Sequence, residues 1–444
     1  MQDGIEHVVR EQMERWAIPG VSIATLRDGK VETGTWGIAS IATGAPVQPE
    51  TLFQVGSISK VFTTTLLMTF VDEGKLALDT PAAHYLPDLP LMDTAAREAV
   101  TLRHLVTHMS GFYGDRFDDQ GVGDDALANA VAAFCDLPQQ TAPGELWTYC
   151  NAGFDLVARV MEVVSGQRFE DLMRARVFDP LGMDSTTYFA AEAIRHPVAV
   201  GHEGDKEELT IADPWPIPRR SNGAGGISST ASQLMNFAAM HISDGEYNGT
   251  RVLSQESARA MRKEHAIADP FRTWGLGWSR DEINGVAVVE HGGATNGFTA
   301  RLVVVPARKQ AIAILLNHAQ GGSAHPEIAK VWLREAVGLS RSERPIVPVN
   351  PELIASRVGT YSHGLGDLIL TAAPHGFDVQ RVQRNPFSGS EKAGKPFRLR
   401  PVSDDIYAAD GGGTDGSYAD FIRNPDGSTR FLRFGGRLAF PKAS

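Results

Sequence analysis

The sequence predicts an α+β protein built in two units: an antiparallel sheet flanked by helices and carrying a mostly helical insertion, then a small antiparallel β-barrel. Three observations lead there. Strand patterns occur close to residue 21 and return after residue 286, so early and late segments can share one sheet. Residues from about 56 to 225 are rich in helical periodicity and in Pro/Gly turns. Beyond a proline-rich stretch at 341–352, short alternating segments run towards the C-terminus. With 444 residues and 42% hydrophobic content, the chain can bury a core larger than a single small unit needs.

Each element has its own reason. Residues 5–17 place Ile5, Val8, Val9, Met13 and Trp16 on one helical face, and Pro19-Gly20 ends that helix. "VSIATLRDGKVETGTWG" reads as a hairpin around Asp28-Gly29. After Ser57, the positions Ile58, Val61, Phe62, Leu66, Leu67, Phe70 and Val71 describe a broadly buried helix, with Gly74 as its end signal. A second helix follows Asn151, a good N-cap residue, on Phe154, Leu156, Val157, Val160 and Met161. The late strands are "VAVVEHGG", "ARLVVVP" and "AIAILLN"; a helix from about Pro326 to Val337 follows and packs with the first helix on one sheet face. "RSERPIVPVNPE" carries three prolines and reads as a linker. "DLILTAA", "FDVQRV", "FRLRPV", "YADFIR" and "TRFLRF" supply the barrel, with a turn at 424–427. The expected organisation is therefore residues 1–340 with a helical subdomain at about 56–225, a linker at 341–352, and a barrel at 353–444.

Composition excludes several functions. A formal charge of -11 argues against nucleic-acid or anionic-membrane partners, which need clustered Lys and Arg. Cys135 and Cys150 are too few for a disulfide framework or a cysteine metal site. No run of about 18 apolar residues appears, and the N-terminal segment is charged and amphipathic, unlike a signal peptide. A cytoplasmic location is the expectation for the chain as written.

Three short motifs carry chemistry. Ser57 and Lys60 stand three apart in the first turn of a buried helix, so the amine can approach the hydroxyl. Burial lowers a lysine's pKa, and a neutral amine can take the serine proton. Tyr149 precedes a helix; it is either a half-buried aromatic or a phenol that shuttles a proton. Asn151 is either the helix cap or a donor to a substrate carbonyl, and both roles can coexist. His291-Gly292-Gly293 lies in a strand pattern, where paired glycines mark close approach of a ligand or a backbone. The backbone N–H groups of Ser57 and Ala294 would then form an oxyanion hole, while His291 alone also suits an ordinary strand-end histidine.

Ser57-Ile-Ser-Lys60, Tyr149-Cys-Asn151 and His291-Gly-Gly293 together resemble the three active-site motifs of the penicillin-recognising serine hydrolases. This superfamily comprises class C β-lactamases, D-alanyl-D-alanine carboxypeptidases, D-aminopeptidases and related esterases. The flanks "LRHLVTHMSGF", "PGELWTYCNAGF", "DPLGMDST", "GAGGISSTASQL" and "HGGATNGF" follow in the family's order, over roughly residues 5–337. The resemblance implies a β-lactamase-like first unit, a lipocalin-like barrel, and no cofactor or metal. It makes Ser57 the acylated nucleophile, Lys60 its base and Tyr149 the second proton carrier. Asn151, His291, Gly292 and Gly293 become substrate-binding residues. Gly292 stands where β-lactamases and carboxypeptidases keep a hydroxyl, so His-Gly-Gly resembles the D-aminopeptidase and esterase branches instead.

The resulting expectation is a serine hydrolase that cleaves a small amide, an ester, or a peptide, including one containing D-amino acids. Acyl transfer through the same intermediate and slow acylation as a non-turnover penicillin-binding sensor are the alternatives. His104 and His108 fall four apart as metal ligands can, but the segment matches a structural helix of the family. The acidic loop "YGDRFDDQGVGDDAL" is either an attractor for a cationic substrate or a solvated face. The barrel is compatible with shielding the cleft, homo-oligomerisation or added stability.

Overall fold

Residue alternation and turn chemistry decide the first hairpin. Helix α1 (Asp3–Trp16) leads into β1 (Gly20–Arg27), which pairs with β2 (Lys30–Gly37) from Gly20↔Gly37 to Arg27↔Lys30. Asp28 and Gly29 both have positive φ, 49° and 77°, the turn geometry that right-twisted strands require. The computed structural model describes residues 3–342, 344–384, 390–414 and 416–442. Position 343 of the expected linker, and 385–389, 415, 443 and 444 of the expected barrel, lie outside the described residues.

Helix α2 (Ser59–Asp72) follows, buried on nearly every side, and Gly74 (φ 68°) ends it as expected. The short helix α3 (Leu102–Val106) and helix α4 (Ala152–Ser165) pack beside it, and α5 (Ala231–Ile242) returns the chain to the sheet. The remaining strands are β3 (Ala266–Asp269), β4 (Arg272–Trp274), β5 (Ser279–Ile283), β6 (Val286–Thr295), β7 (Phe298–Val305) and β8 (Gln310–Leu316). They complete an eight-stranded antiparallel sheet in the order β2-β1-β8-β7-β6-β5-β4-β3. Early and late strands meet as the pattern predicts, through β1 and β8 in register from Val21↔Leu316.

Helix α6 (Gly321–Trp332) packs with α1 on one face, where Ile5, Val9, Val303, Ile328 and Trp332 are buried together. This helix begins five residues before the expected Pro326. Proline disfavours a helix interior because it lacks an N–H, yet Pro326 lies inside this helix, after the buried Ala324 and His325. The other face carries α2 and α5 over Val289, Ala300 and Leu302.

Among the described residues the proline-rich stretch has no regular structure until α7 (Pro351–Arg357), where Asn350 caps the helix and Pro351 occupies its first position. Eight strands of the barrel follow: β9 (Gly359–His363), β10 (Gly366–Ala373), β11 (Gly376–Arg384), β12 (Phe397–Pro401), β13 (Ile406–Asp410), β14 (Tyr418–Arg423), β15 (Thr429–Phe434) and β16 (Arg437–Pro441), while a further short strand, Glu391–Ala393, pairs with the end of β11. They close in the order β10-β9-β16-β15-β14-β13-β12-β11, with β10 and β11 paired to complete the barrel. Tyr361, Phe377, Tyr407 and Phe421 fill its interior, a core separate from those of the sheet. No helix among the described residues is long and apolar enough to cross a membrane.

Candidate active site

The free edge of β6 frames the site. A two-residue turn, Asn296-Gly297, joins β6 to β7, so Thr295, Gly293 and His291 bond across to β7 while Gly292 and Ala294 direct their backbone groups the other way. Strand β5 covers that outer side only as far as Glu290, leaving the edge open from His291 onwards. Residues 55–57 press against this edge. A Cβ on Gly56 (φ 53°) would lie 2.5 Å from the Ala294 nitrogen, and one on Gly293 would lie 1.9 Å from the Val55 oxygen and 3.1 Å from the Ser57 nitrogen. Two bare backbones therefore bring the N–H groups of Ser57 and Ala294 to one place, as an oxyanion hole requires.

Lys60 lies beneath, fully buried. Its Nζ donates to Ser57 Oγ at 3.1 Å and to the Ala224 carbonyl at 2.6 Å. Burial lowers its pKa from 10.5 to about 7; Asp155 opposes the shift and Arg437 adds to it. Asp155 is buried as well and is raised to about 6 by desolvation, with Arg220 bonded to it at 3.0 Å holding it down. Tyr149 shares a hydrogen bond with Ser57, and burial pushes its phenol well above the usual value. At neutral pH the phenol is thus a donor, and the lysine is the group that can accept a proton.

The second motif is held by residues far away in sequence. The Asn151 side chain does not cap α4; it donates to Asp115 at 2.8 Å, correcting the expected cap. Asp115 accepts two bonds from Arg437 of β16, both at 2.9 Å. Burial alone would raise the Asp115 carboxyl, but the Arg437 guanidinium outweighs it and holds the pKa low. Arg437 also lies 4.8 Å above the Tyr149 ring, and the Tyr149 N–H donates to the Gly436 carbonyl at 2.8 Å. Gly435 and Gly436 form the β15–β16 turn, and a Cβ on Gly436 would sit 3.2 Å from the Trp147 ring. The barrel thus inserts one hairpin tip against Tyr149.

His291 is buried and lowered to about 3, by desolvation first and by Lys60 second. Its Nδ1 lies 2.6 Å from the Gly292 carbonyl, which can only accept, so Nδ1 carries the proton and Nε2 is left as an acceptor. It therefore brings no positive charge to the site.

The His104–His108 pair does not share a helix. His104 completes the capping box of α3, whereas His108 lies beyond its end at φ 60°, stacked on Tyr149 at 4.3 Å, with Nδ1 accepting from the Cys150 N–H. Cys150 is buried, and desolvation raises its thiol to about 12. Three carboxylates of the acidic loop are ion-paired: Asp118 with Arg116 and Arg220, Asp124 with Arg168 and Arg219, and Asp115 with Arg437. That pairing favours the structural alternative over an attractor for cationic substrates.

Ser57, Tyr149, Asn151, His291, Gly292, Gly293 and Ala294 all line one cavity of about 630 Å³, with Lys60 just below. Trp147 and Trp274 form its aromatic wall. Sequence reasoning missed Arg437, Asp115, Asp155 and the Ala224 carbonyl. The one available signal was the Gly-Gly doublet followed by arginine, "RFGGR", after an alternating strand.

Comparison with known proteins identifies the family and the fold. The family model described as Beta-lactamase matches residues 5–336. Penicillin-binding protein 4 of Amycolatopsis lactamdurans is 36% identical over 358 residues, covering 78% of this chain and 93% of that protein. Unguisins hydrolase ungD of Aspergillus violaceofuscus (strain CBS 115571) is 28% identical over 344 residues, 70% of this chain and 60% of its own length. A crystal structure of SurE with D-Leu matches at a TM-score of 0.72 and 27% identity, over 99% of this chain and 98% of that one.

Proposed function

The chain belongs to the beta-lactamase family, and from that premise we propose that it is a serine hydrolase cleaving a small amide, peptide or ester through an acyl-enzyme on Ser57. The observation that carries the reading is the buried Lys60 amine, 3.1 Å from Ser57 Oγ with a pKa of about 7. Lys60 takes the Ser57 proton as Oγ bonds to the substrate carbonyl carbon. The oxyanion is held by the N–H groups of Ser57 and Ala294. Tyr149, neutral and bonded to Ser57, gives its proton to the leaving group and is reprotonated from Lys60. Water then cleaves the ester by the reverse transfers. Asn151 is the donor to the substrate's amide carbonyl, aimed by Asp115.

For the substrate, we favour a peptide or amide containing a D-residue. The support is the D-Leu named with SurE and Gly292 in place of a hydroxyl. The test compares D-alanine p-nitroanilide, L-alanine p-nitroanilide and p-nitrophenyl acetate with wild type and Ser57→Ala. Turnover of the D-anilide that vanishes in the variant supports the full reading. Turnover of the acetate alone points to an esterase, and activity surviving in Ser57→Ala overturns the mechanism.

A further inference from the structure

The cavity does not end at the Ser57 face of β6. Odd-numbered positions of this strand, His291 and Gly293, face Ser57; even-numbered ones face the layer of α1 and α6, as buried Val288 does. Gly292 is the even position at the open edge, and a Cβ there would have as its nearest neighbour the Ala300 oxygen at 3.8 Å. The missing side chain leaves a passage around the edge, and the same cavity that contains Ser57 is also lined by Glu290, Arg301 and His325.

Glu290 and His325 are buried, Arg301 is partly buried, and each is incompletely bonded. Glu290 is 4% exposed; its Oε1 accepts from Arg301 Nη2 at 2.6 Å, while its Oε2 has no partner among the described residues. Arg301 Nε has none either, and His325, 7% exposed, has an unpartnered Nδ1. A buried carboxylate oxygen and a buried guanidinium N–H without partners cost free energy that a ligand with a matching donor and acceptor recovers.

We propose that this recess behind Gly292 is a subsite for an uncharged carboxamide of a peptide substrate, its N–H donating to Glu290 Oε2 and its carbonyl accepting from Arg301 Nε. Charge selects the amide over its alternatives. Glu290 is already balanced by Arg301, and Arg341, 3.8 Å from Glu290, is itself paired with Asp281, so no unbalanced anion is left to offset an ammonium. A carboxylate would face Glu290, which burial alone would raise but which Arg301, Arg341 and Arg272 hold ionised at a pKa of about 2. His325 adds no charge, because burial keeps it neutral. A purely apolar group would leave Oε2 and Nε unsatisfied. The inference rests on the hydrolase reading above, since it names the group that such a substrate carries.

The experiment uses two series of D-residue peptides, varying the residue on either side of the scissile bond among asparagine, its isostere leucine and its charged isostere aspartate. In wild type, one series is expected to show asparagine preferred over both by roughly tenfold or more in kcat/KM. Glu290→Gln and, independently, Gly292→Val should collapse that ratio to within about threefold, and a ratio is insensitive to any loss of folded protein. Equal rates for the three residues in both series, or a preference that persists in Glu290→Gln, overturn the subsite. A Ser57-dependent burst with p-nitrophenyl acetate tests the hydrolase reading separately. If neither esters nor peptides turn over, that reading fails, and calorimetric titration with N-acetyl-D-asparaginamide decides the subsite: binding abolished by Glu290→Gln supports it, and no binding to wild type overturns it.

Discussion

Replacing Lys60 with methionine should stabilise the protein at neutral pH and below, and by an amount that pH controls. Burial lowers the Lys60 pKa from 10.5 to about 7. At about 1.4 kcal/mol per pH unit, the folded state disfavours the ammonium by about 5 kcal/mol. Below pH 7 the amine is protonated in both states and the whole cost is present. Between pH 7 and 10.5 the unfolded chain holds a proton that the folded chain has released, so wild-type stability rises with pH. Above 10.5 the cost is gone. The substitution removes this cost but also the 2.6 Å bond to the Ala224 carbonyl, a loss of about 1–3 kcal/mol. Lys60→Met is therefore expected to be more stable than wild type by about 2–4 kcal/mol at pH 6 and no more stable than wild type by pH 10. Urea unfolding of both proteins from pH 6 to 10, followed by tryptophan fluorescence, measures the difference; groups not coupled to Lys60 cancel, and the coupled carboxyl Asp155, at about 6, affects only the acid end of the range. A difference that does not change with pH would refute a neutral buried lysine, and with it the proposed base.

Arg437→Met leaves Asp115 buried and unpaired, which should destabilise the protein by roughly 3–5 kcal/mol. It should also lower kcat more than it raises KM and move the acid limb of the pH–rate profile upward, because Arg437 depresses Lys60; Arg437→Lys should restore part of each. Gly56→Ala forces a methyl group to within 2.5 Å of the Ala294 nitrogen at φ 53°, so acylation should fall on the order of a hundredfold, read from the burst rate. Asp118→Asn should lower the thermal midpoint through its pairs with Arg116 and Arg220, with equal effects on KM for amine-bearing and neutral substrates. His291 should show no NMR titration between pH 5 and 8, since burial holds its pKa at about 3.

What was legible in the sequence is what short-range pattern encodes. The Asp28-Gly29 turn, the burial of α2 around Ser57 and Lys60, and the glycines of the third motif each leave a local signature, and each is found where the pattern puts it. Long-range pairings left none. Arg437 and Asp115 are 322 residues apart and look like ordinary surface charges, because nothing local distinguishes an arginine that will be buried against a carboxylate. Asn151 occupies the N-cap position that an asparagine before a helix suggests, but Asp115 takes its side chain from outside the local window, so no side-chain cap bond forms.

The charges around Ser57 divide the labour in a way that composition could not suggest. Tyr149 is raised and His291 is lowered, so neither changes its protonation near neutrality, and Lys60 is left as the proton acceptor titrating there. Its pKa is set mainly by burial and then trimmed by Asp155 from the helical subdomain and Arg437 from the barrel, acting in opposite directions. Arg437 also fixes Asn151 through Asp115, so one barrel residue governs both the basicity of the proposed base and the aim of the proposed carbonyl donor. On this geometry the barrel is part of the candidate site: displacing the Gly435-Gly436 tip would remove the bond to the Tyr149 N–H and the cation above its ring together. A loss of activity on weakening that contact, with the eight-stranded sheet still folded, is what distinguishes this role from mere stabilisation.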